Sequence, residues 1–350
     1  MDIKSLLKTL SEEKGSDLLL VADSHPTMIK HKAFIKLGEK KLDSKMIKDF
    51  LGNILKEDQM KFLATVRELD TAYEDEYSRY RVNAHFEKGN YAAAIRRIPK
   101  EIPKLESLGL PTTIREFATI KRGILLVTGP TGCGKSTTQA AIIDLINNSR
   151  DAHIITLEDP IEYLHKSNKS IIEQREIDID TMSFAEGLKR VVRQIPDVIL
   201  IGEMRDIESI QNAITAAETG HLVISTLHTQ DAVQAIDRII DVFPPYQQSQ
   251  IKTQLSLTLQ GVIAQQLLPR ADGKGLTISV ELLKVNSAIR NLIRKGNTQD
   301  IYSTIELSGR EGMQTMDSSL FDLFKKGLIT KETALSHAFN RESLSKKLTR

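Results

Sequence analysis

Gly129-Pro130-Thr131-Gly132-Cys133-Gly134-Lys135-Ser136 decides the fold, because it has the G-x-x-x-x-G-K-[ST] spacing of a phosphate-binding loop. Before it, Gly123-Ile124-Leu125-Leu126-Val127-Thr128 is an apolar run with the length of a buried strand. After it, residues 137–148 carry Ala141, Ile142, Leu145 and Ile146 at helical spacing. Strand, glycine loop and helix start, in that order, are the context such a loop needs. Glycines let backbone N–H groups close on phosphate oxygens, and the helix start adds a partial positive charge. The stretch from Gly129 to Thr137 is therefore expected to bind ATP. Lys135 would reach the β- and γ-phosphates, and Ser136 would ligate Mg²⁺ directly.

Working outward, four short apolar runs predict strands: Gly123–Thr128 and residues 153–156, 198–201 and 222–225, with helices between them. Alternation of strand and helix is the signature of a parallel α/β sheet, whose ligands sit at the carboxyl ends of the strands. Polar residues follow each run. They are the phosphate loop, then Leu157-Glu158-Asp159-Pro160, then Gly202-Glu203-Met204-Arg205-Asp206, then Thr226-Leu227-His228. In Val198-Ile199-Leu200-Ile201-Gly202-Glu203, glycine stands where many ATPases place a Mg²⁺-binding Asp, so Glu203 is the carboxylate left at that edge. It is the candidate base for the attacking water. Glu158 is the candidate second carboxylate, for Mg²⁺ through water or for the attacking water itself; either acid could instead simply favour a helix start. His221 and His228 bracket the fourth run, which suggests γ-phosphate sensing or water positioning rather than metal binding.

Upstream, residues 99–111 contain three prolines and read as a linker, leaving 1–98 as one domain and 112–350 as another. Residues 2–14 and 44–55 read as helices. Strands are expected at 17–21, 28–37, 70–77, 78–86 and 91–98, giving a small α+β domain. Its last strands carry Arg79, Arg81, Arg96 and Arg97, either a solvated face or arginines that reach a neighbouring subunit's triphosphate. His25, His31 and His85 have no evident partners and read as ordinary strand or turn residues.

Composition narrows the classes further. The 350 residues are 40% hydrophobic and 27% charged, as in soluble globular proteins. A net charge of +2 gives no global case for nucleic acid. One cysteine allows neither an intrachain disulfide nor a cysteine-built structural zinc site. That residue, Cys133, reads as a small side chain that fits its loop, with redox sensing as the alternative. No run approaches the ~20 apolar residues of a membrane helix, and Met1-Asp2-Ile3-Lys4 lacks a signal-peptide segment. A cytoplasmic protein, at most peripheral to a membrane, is expected.

Together, Gly-Pro-Thr-Gly-Cys-Gly-Lys-Ser-Thr-Thr, Leu-Glu-Asp-Pro-Ile-Glu, Pro-Asp-Val-Ile-Leu-Ile-Gly-Glu-Met-Arg-Asp, Thr-Gly-His and Ser-Thr-Leu-His-Thr resemble the secretion ATPase superfamily. Gly202 belongs to that family's pattern. The resemblance implies a PAS-like α+β N-terminal domain followed by a RecA-like P-loop ATPase domain, assembled as a homo-hexamer. Three features are similar to its retraction group, the ATPases that withdraw type IV pili in twitching motility. The chain begins directly at the small domain, and it lacks four zinc-binding cysteines. It also carries Ser287-Ala288-Ile289-Arg290-Asn291-Leu292-Ile293-Arg294 followed by Gly312-Met313-Gln314-Thr315-Met316-Asp317. An accessory retraction paralogue and an assembly or type II secretion motor are the neighbouring alternatives.

The resemblance further implies that Arg81 and Arg96 complete a neighbour's site and that His221 and His228 couple γ-phosphate occupancy to the ring. The implied partners are an inner-membrane pilus platform protein and, indirectly, pilin, which would put the ring at the inner membrane. At Arg193-Gln194-Ile195-Pro196-Asp197 the chain has Ile where the family often has Asp. The C-terminal helices expected at 316–324 and 331–339, and the basic end with Lys346, Lys347 and Arg350, would meet the platform or cap the domain. A DNA translocase, a small-molecule kinase and a nucleotide-sensing scaffold fit these residues less well.

Overall fold

Asp2 accepts the Ser5 amide and starts α1 (Ile3–Glu12), whose Ile3, Leu6, Leu7 and Leu10 form one buried stripe. The chain then runs through β1 (Asp17–Leu20), β2 (Thr27–Lys30), β3 (Ala33–Lys36), α2 (Ser44–Gly52), α3 (Glu57–Val66), β4 (Glu68–Glu74), β5 (Arg79–Glu87) and β6 (Asn90–Ile98). This computed structural model describes residues 2–30, 33–98 and 101–349. His31, Pro99, Lys100 and Arg350, which figure in the sequence reading, lie outside the described residues. By its contacts the chain forms two compact units, Met1–Glu101 with Pro160–Leu164, and Ile102–Asp159 with His165–Arg350.

In the first unit the six strands make one antiparallel sheet in the order β3-β2-β1-β6-β5-β4. Its buried face (Leu18, Leu20, Tyr80, Val82, Ile95) packs with α1, and with Ile47, Leu51 and Leu63 of α2 and α3. Residues 28–37, expected as one strand, are two: Thr27 pairs with Lys36 and Lys30 with Ala33. No Gly, Pro, Asn or Asp occurs between 28 and 37, so nothing in the sequence marked the reversal. The helix expected at 44–55 ends at Gly52. The unexpected α3 buries only Leu63, which leaves little periodicity to read.

The second unit holds β7 (Gly123–Thr128), α4 (Lys135–Ser149), β8 (His153–Glu158), β9 (Ile171–Glu176), α5 (Phe184–Val191), β10 (Val198–Ile201), α6 (Ile207–Glu218), β11 (Leu222–Leu227), α7 (Ala232–Asp241), α8 (Pro245–Thr258), β12 (Leu259–Pro269) and β13 (Leu276–Lys284). Its sheet order is β13-β12-β7-β11-β10-β8-β9, parallel except for β13. Successive residues of the central strands feed opposite cores. Ile124, Leu126, Ile199, Ile201 and Val223 face one core, and Leu125, Val127, Val198, Leu200 and Ile224 face the other. Burial on both faces produces continuous apolar runs, which is why these strands were legible. β9, β12 and β13 were not expected. β9 is an edge strand with Ile171 exposed, and β12 interrupts its apolar run with two glutamines.

Of the stretch at 99–111, the part after Ile102 counts with this unit, and Leu105 is buried in its core. α9 (Ser287–Lys295) and α10 (Ile301–Leu307) pack on the sheet. α11 (Met316–Lys325), α12 (Lys331–Ser336) and α13 (Arg341–Leu348) then enclose a small core of their own around Leu320, Ile329 and Leu344. The helix expected to run to 339 stops at Ser336, and α13 follows it.

Candidate active site

The loop after β7 bends through positive φ at Gly129 (144°), Gly132 (77°) and Gly134 (89°). At Gly129 a Cβ would lie 2.3 Å from the Gln265 carbonyl oxygen, so only glycine lets the loop leave the strand this close to β12. Gly134 caps α4, and Lys135 is the first residue of that helix. Its Nζ donates to the carbonyls of Gly129 (2.9 Å) and Pro130 (3.1 Å), so the ammonium lies across the loop that a phosphate would fill. Thr131 and Gly132 are exposed, while Ser136 and Thr137 on the first turn of α4 are half-buried. Cys133 is buried, and burial pushes its thiol up despite the neighbouring Lys135, which argues against a reactive thiolate.

At the adjoining strand ends, β10 delivers Gly202 and Glu203. The Gly202 amide donates to the Leu157 carbonyl (2.8 Å), and its carbonyl accepts from Thr226 Oγ1 (2.7 Å). The peptide before Glu203 is thus held between the ends of β8 and β11. The largely buried Glu203 carboxylate receives Arg205 Nη2 at 2.6 Å and His228 Nε2 at 3.3 Å. Glu158, the last residue of β8, accepts from Thr156 Oγ1 (2.7 Å) and Gln174 Nε2 (3.1 Å). Both carboxylates are therefore oriented, and parallel pairing brings the ends of β7, β11, β10 and β8 to one edge of the sheet.

His221 is not part of this group. It precedes β11, and its carbonyl accepts from the amide of Gly123, the first residue of β7. It therefore stands at the edge opposite the loop, roughly 20 Å away along a six-residue strand. Its Nδ1 contacts the Ala216 carbonyl (2.9 Å) and the Thr219 hydroxyl (3.2 Å) at the end of α6. Arg81 and Arg96 are paired directly across β5 and β6, on one face of the first unit's sheet. Arg96 Nε is held by Asp17 (2.8 Å), and Arg81 lies 3.8 Å from Asp70. In the same unit Arg79 donates to the Ile161 carbonyl (3.2 Å). Sequence reasoning missed Gln174, Arg205, Thr226 and Gln265. Arg205 and Thr226 stood in the polar stretches that follow the third and fourth apolar runs and were the readable ones.

A glycine loop between the first strand and a helix of a parallel sheet, with an acid at the end of the strand two places away, defines a P-loop ATPase. The chain belongs to the family described as "Type II/IV secretion system protein", which matches residues 92–320. It is 43% identical over 344 residues to the "Twitching motility protein" of Neisseria gonorrhoeae, covering 98% of this chain and 92% of that one. It is 41% identical over 339 residues to the "Type IV pilus retractation ATPase PilT" of Pseudomonas aeruginosa, covering 97% and 98%. The solved "Crystal Structure of the Pilus Retraction Motor PilT and Bound ADP" has 41% identity and a TM-score of 0.92 over 99% of both chains. The expected architecture, an α+β domain ahead of a RecA-like ATPase domain, is the one found.

Proposed function

We infer that this protein is an ATP-hydrolysing motor that powers type IV pilus retraction. The observation that carries the reading is its end-to-end likeness to an ADP-bound retraction motor, with the loop and Glu203 intact. ATP would lie in the Gly129–Thr137 cradle, with Lys135 exchanging its two loop carbonyls for phosphate oxygens. The hydroxyl of Ser136 suits Mg²⁺, with Glu158 reaching it through water. Among the described residues no group of three His, Cys, Asp or Glu converges, so such an ion relies on phosphate and water for its other ligands. Held there, Mg²⁺ would neutralise negative charge on the triphosphate.

Glu203 takes the proton of the attacking water, once Arg205 releases the carboxylate. His228, hydrogen-bonded to Glu203, reports γ-phosphate occupancy. For His221, its contacts with the end of α6 support a bracing role in the turn into β11. Arg81 and Arg96 complete the site of a neighbouring copy in a homo-hexamer. The ring works from the cytoplasmic side of the inner membrane on a platform protein, through which pilin is withdrawn. Among the described residues no helix is long and apolar enough to cross a membrane.

Deleting the gene in its host tests the direction of the motor. Persistent pili that do not retract are expected. A strain without pili would instead identify an assembly motor.

A further inference from the structure

Gln265 is a fully buried polar side chain within the apolar run of β12, and the catalysis proposed above makes no use of it. A buried amide needs partners at both ends, and this one has them. Its Nε2 donates to the Cys133 carbonyl at 2.7 Å, and its Oε1 accepts from the Thr138 hydroxyl at 2.9 Å. One side chain therefore joins the sheet to the phosphate loop and to the first turns of α4. The packing around it is close: besides the contact at Gly129, a Cβ on Gly134 would stand 3.4 Å from Nε2.

The consequence lies in the peptide that Gln265 grips. A trans peptide is planar, and its C=O and N–H point in opposite directions. Holding the Cys133 carbonyl from the β12 side therefore turns the Gly134 N–H away from β12. That N–H belongs to the N-cap of α4, where helices leave donors without intrahelical partners and anions bind. A loop with three positive-φ glycines has many alternative peptide orientations, and Gln265 removes the one that would turn this N–H inward.

We propose that Gln265 is a positioning residue of the nucleotide site, fixing the Cys133–Gly134 peptide so that Gly134 N–H is presented to a phosphate oxygen of bound ATP or ADP. The proposal rests on the nucleotide-binding reading of the loop. Glutamine is the side chain that serves here because it both donates to Cys133 and accepts from Thr138. A carboxyl of the same shape still accepts from Thr138, but it donates to Cys133 only when protonated.

The test is ADP affinity, measured by calorimetry on full-length protein between pH 6 and 9. Wild-type affinity supplies the reference at each pH. Q265E should bind ADP at least tenfold more weakly than wild type at pH 9, where the ionised carboxylate faces the Cys133 carbonyl and cannot donate to it. Binding by Q265E within twofold of wild type at every pH overturns the proposal. Q265M, similar in length but unable to donate, should lose as much, and Q265M binding within twofold of wild type also overturns it, since packing alone would then suffice. If Q265E does not fold, Q265A carries the decision, measured well below its melting temperature. There, tenfold weaker ADP binding supports the proposal and binding within twofold overturns it. Wild-type protein that fails to bind ADP would instead sink the nucleotide reading itself.

Discussion

Ile195 shows how a single backbone angle exposes a departure from the family pattern. It has φ = 58°, in the left-handed region, and it is 86% exposed. A β-branched residue there brings its side chain against its own backbone, at about 1–2 kcal/mol, whereas Asn and Asp tolerate the angle. The resemblance drawn from the sequence implied Asp at this place, so the residue that departs from it is the one under strain. Ile195→Asn should stabilise the protein by about 1 kcal/mol and raise the melting temperature by about 2–4 °C, because no burial is lost. An unchanged or lower melting temperature would show that the strain is not there. At this scale the sequence was informative where chemistry is carried by motif: Lys135, Glu158, Glu203 and His228 all stand at the loop edge. His221, which precedes its strand, stands at the opposite edge, as the rule that ligands meet the carboxyl ends of parallel strands would place it. The sequence was silent at Gln265, because a glutamine in an apolar run has no signature until its partners, 132 and 127 positions away, are brought beside it.

Elements were legible in proportion to how fully their burial followed one period. Strands buried on both faces, such as β7 and β10, were found at their true bounds, and the exposed β3 and the partly buried edge β9 were merged or missed. β13 carries a feature that no periodicity reports. Its Glu281, 1% exposed, accepts from the Ala232 amide (2.9 Å) at the start of α7 and from the Met316 amide (3.5 Å) at the start of α11. Burial pushes its carboxyl up to about 7, with Asp231 and Asp317 adding to the rise and the two amides opposing it. Because the folded value lies above the ordinary one, the protonated form favours the fold. That contribution is complete below about pH 4.5 and is lost as pH rises through 7, a change of roughly 3 kcal/mol across the window. Glu281→Gln should flatten this part of the melting-temperature profile between pH 5 and 8. Parallel profiles for the two proteins would mean that Glu281 does not carry the dependence.

For the whole molecule, the decisive expectation is that a complete site takes two chains. Glu203→Ala should keep ADP binding and lose hydrolysis by at least about a hundredfold. Arg81→Ala should lose hydrolysis through the missing arginine of the neighbour, which is worth about a thousandfold or more in related chemistry. Mixed before assembly, the two inactive variants should recover measurable turnover, since some sites then join an intact Glu203 to an intact Arg81. No recovery at any mixing ratio would mean that each chain holds its own complete site. The two fold classes were readable from sequence because their periodicities differ, whereas what the arginines reach is not, because no pattern within one chain encodes a neighbour.

The position of β7 also sets a timetable. The strand that leads into the phosphate loop is the first of its sheet to be synthesised, yet its two neighbours are β11 and β12. At typical rates of ~5–20 residues per second, the ribosome adds the stretch between Cys133 and Gln265 in roughly 7–26 seconds. Until β11 is made the buried strand has no partner, and until Gln265 follows the loop beyond it lacks its support from β12. A nascent chain therefore cannot use ATP as a folding template; the binding site is among the last parts of its sheet to be assembled.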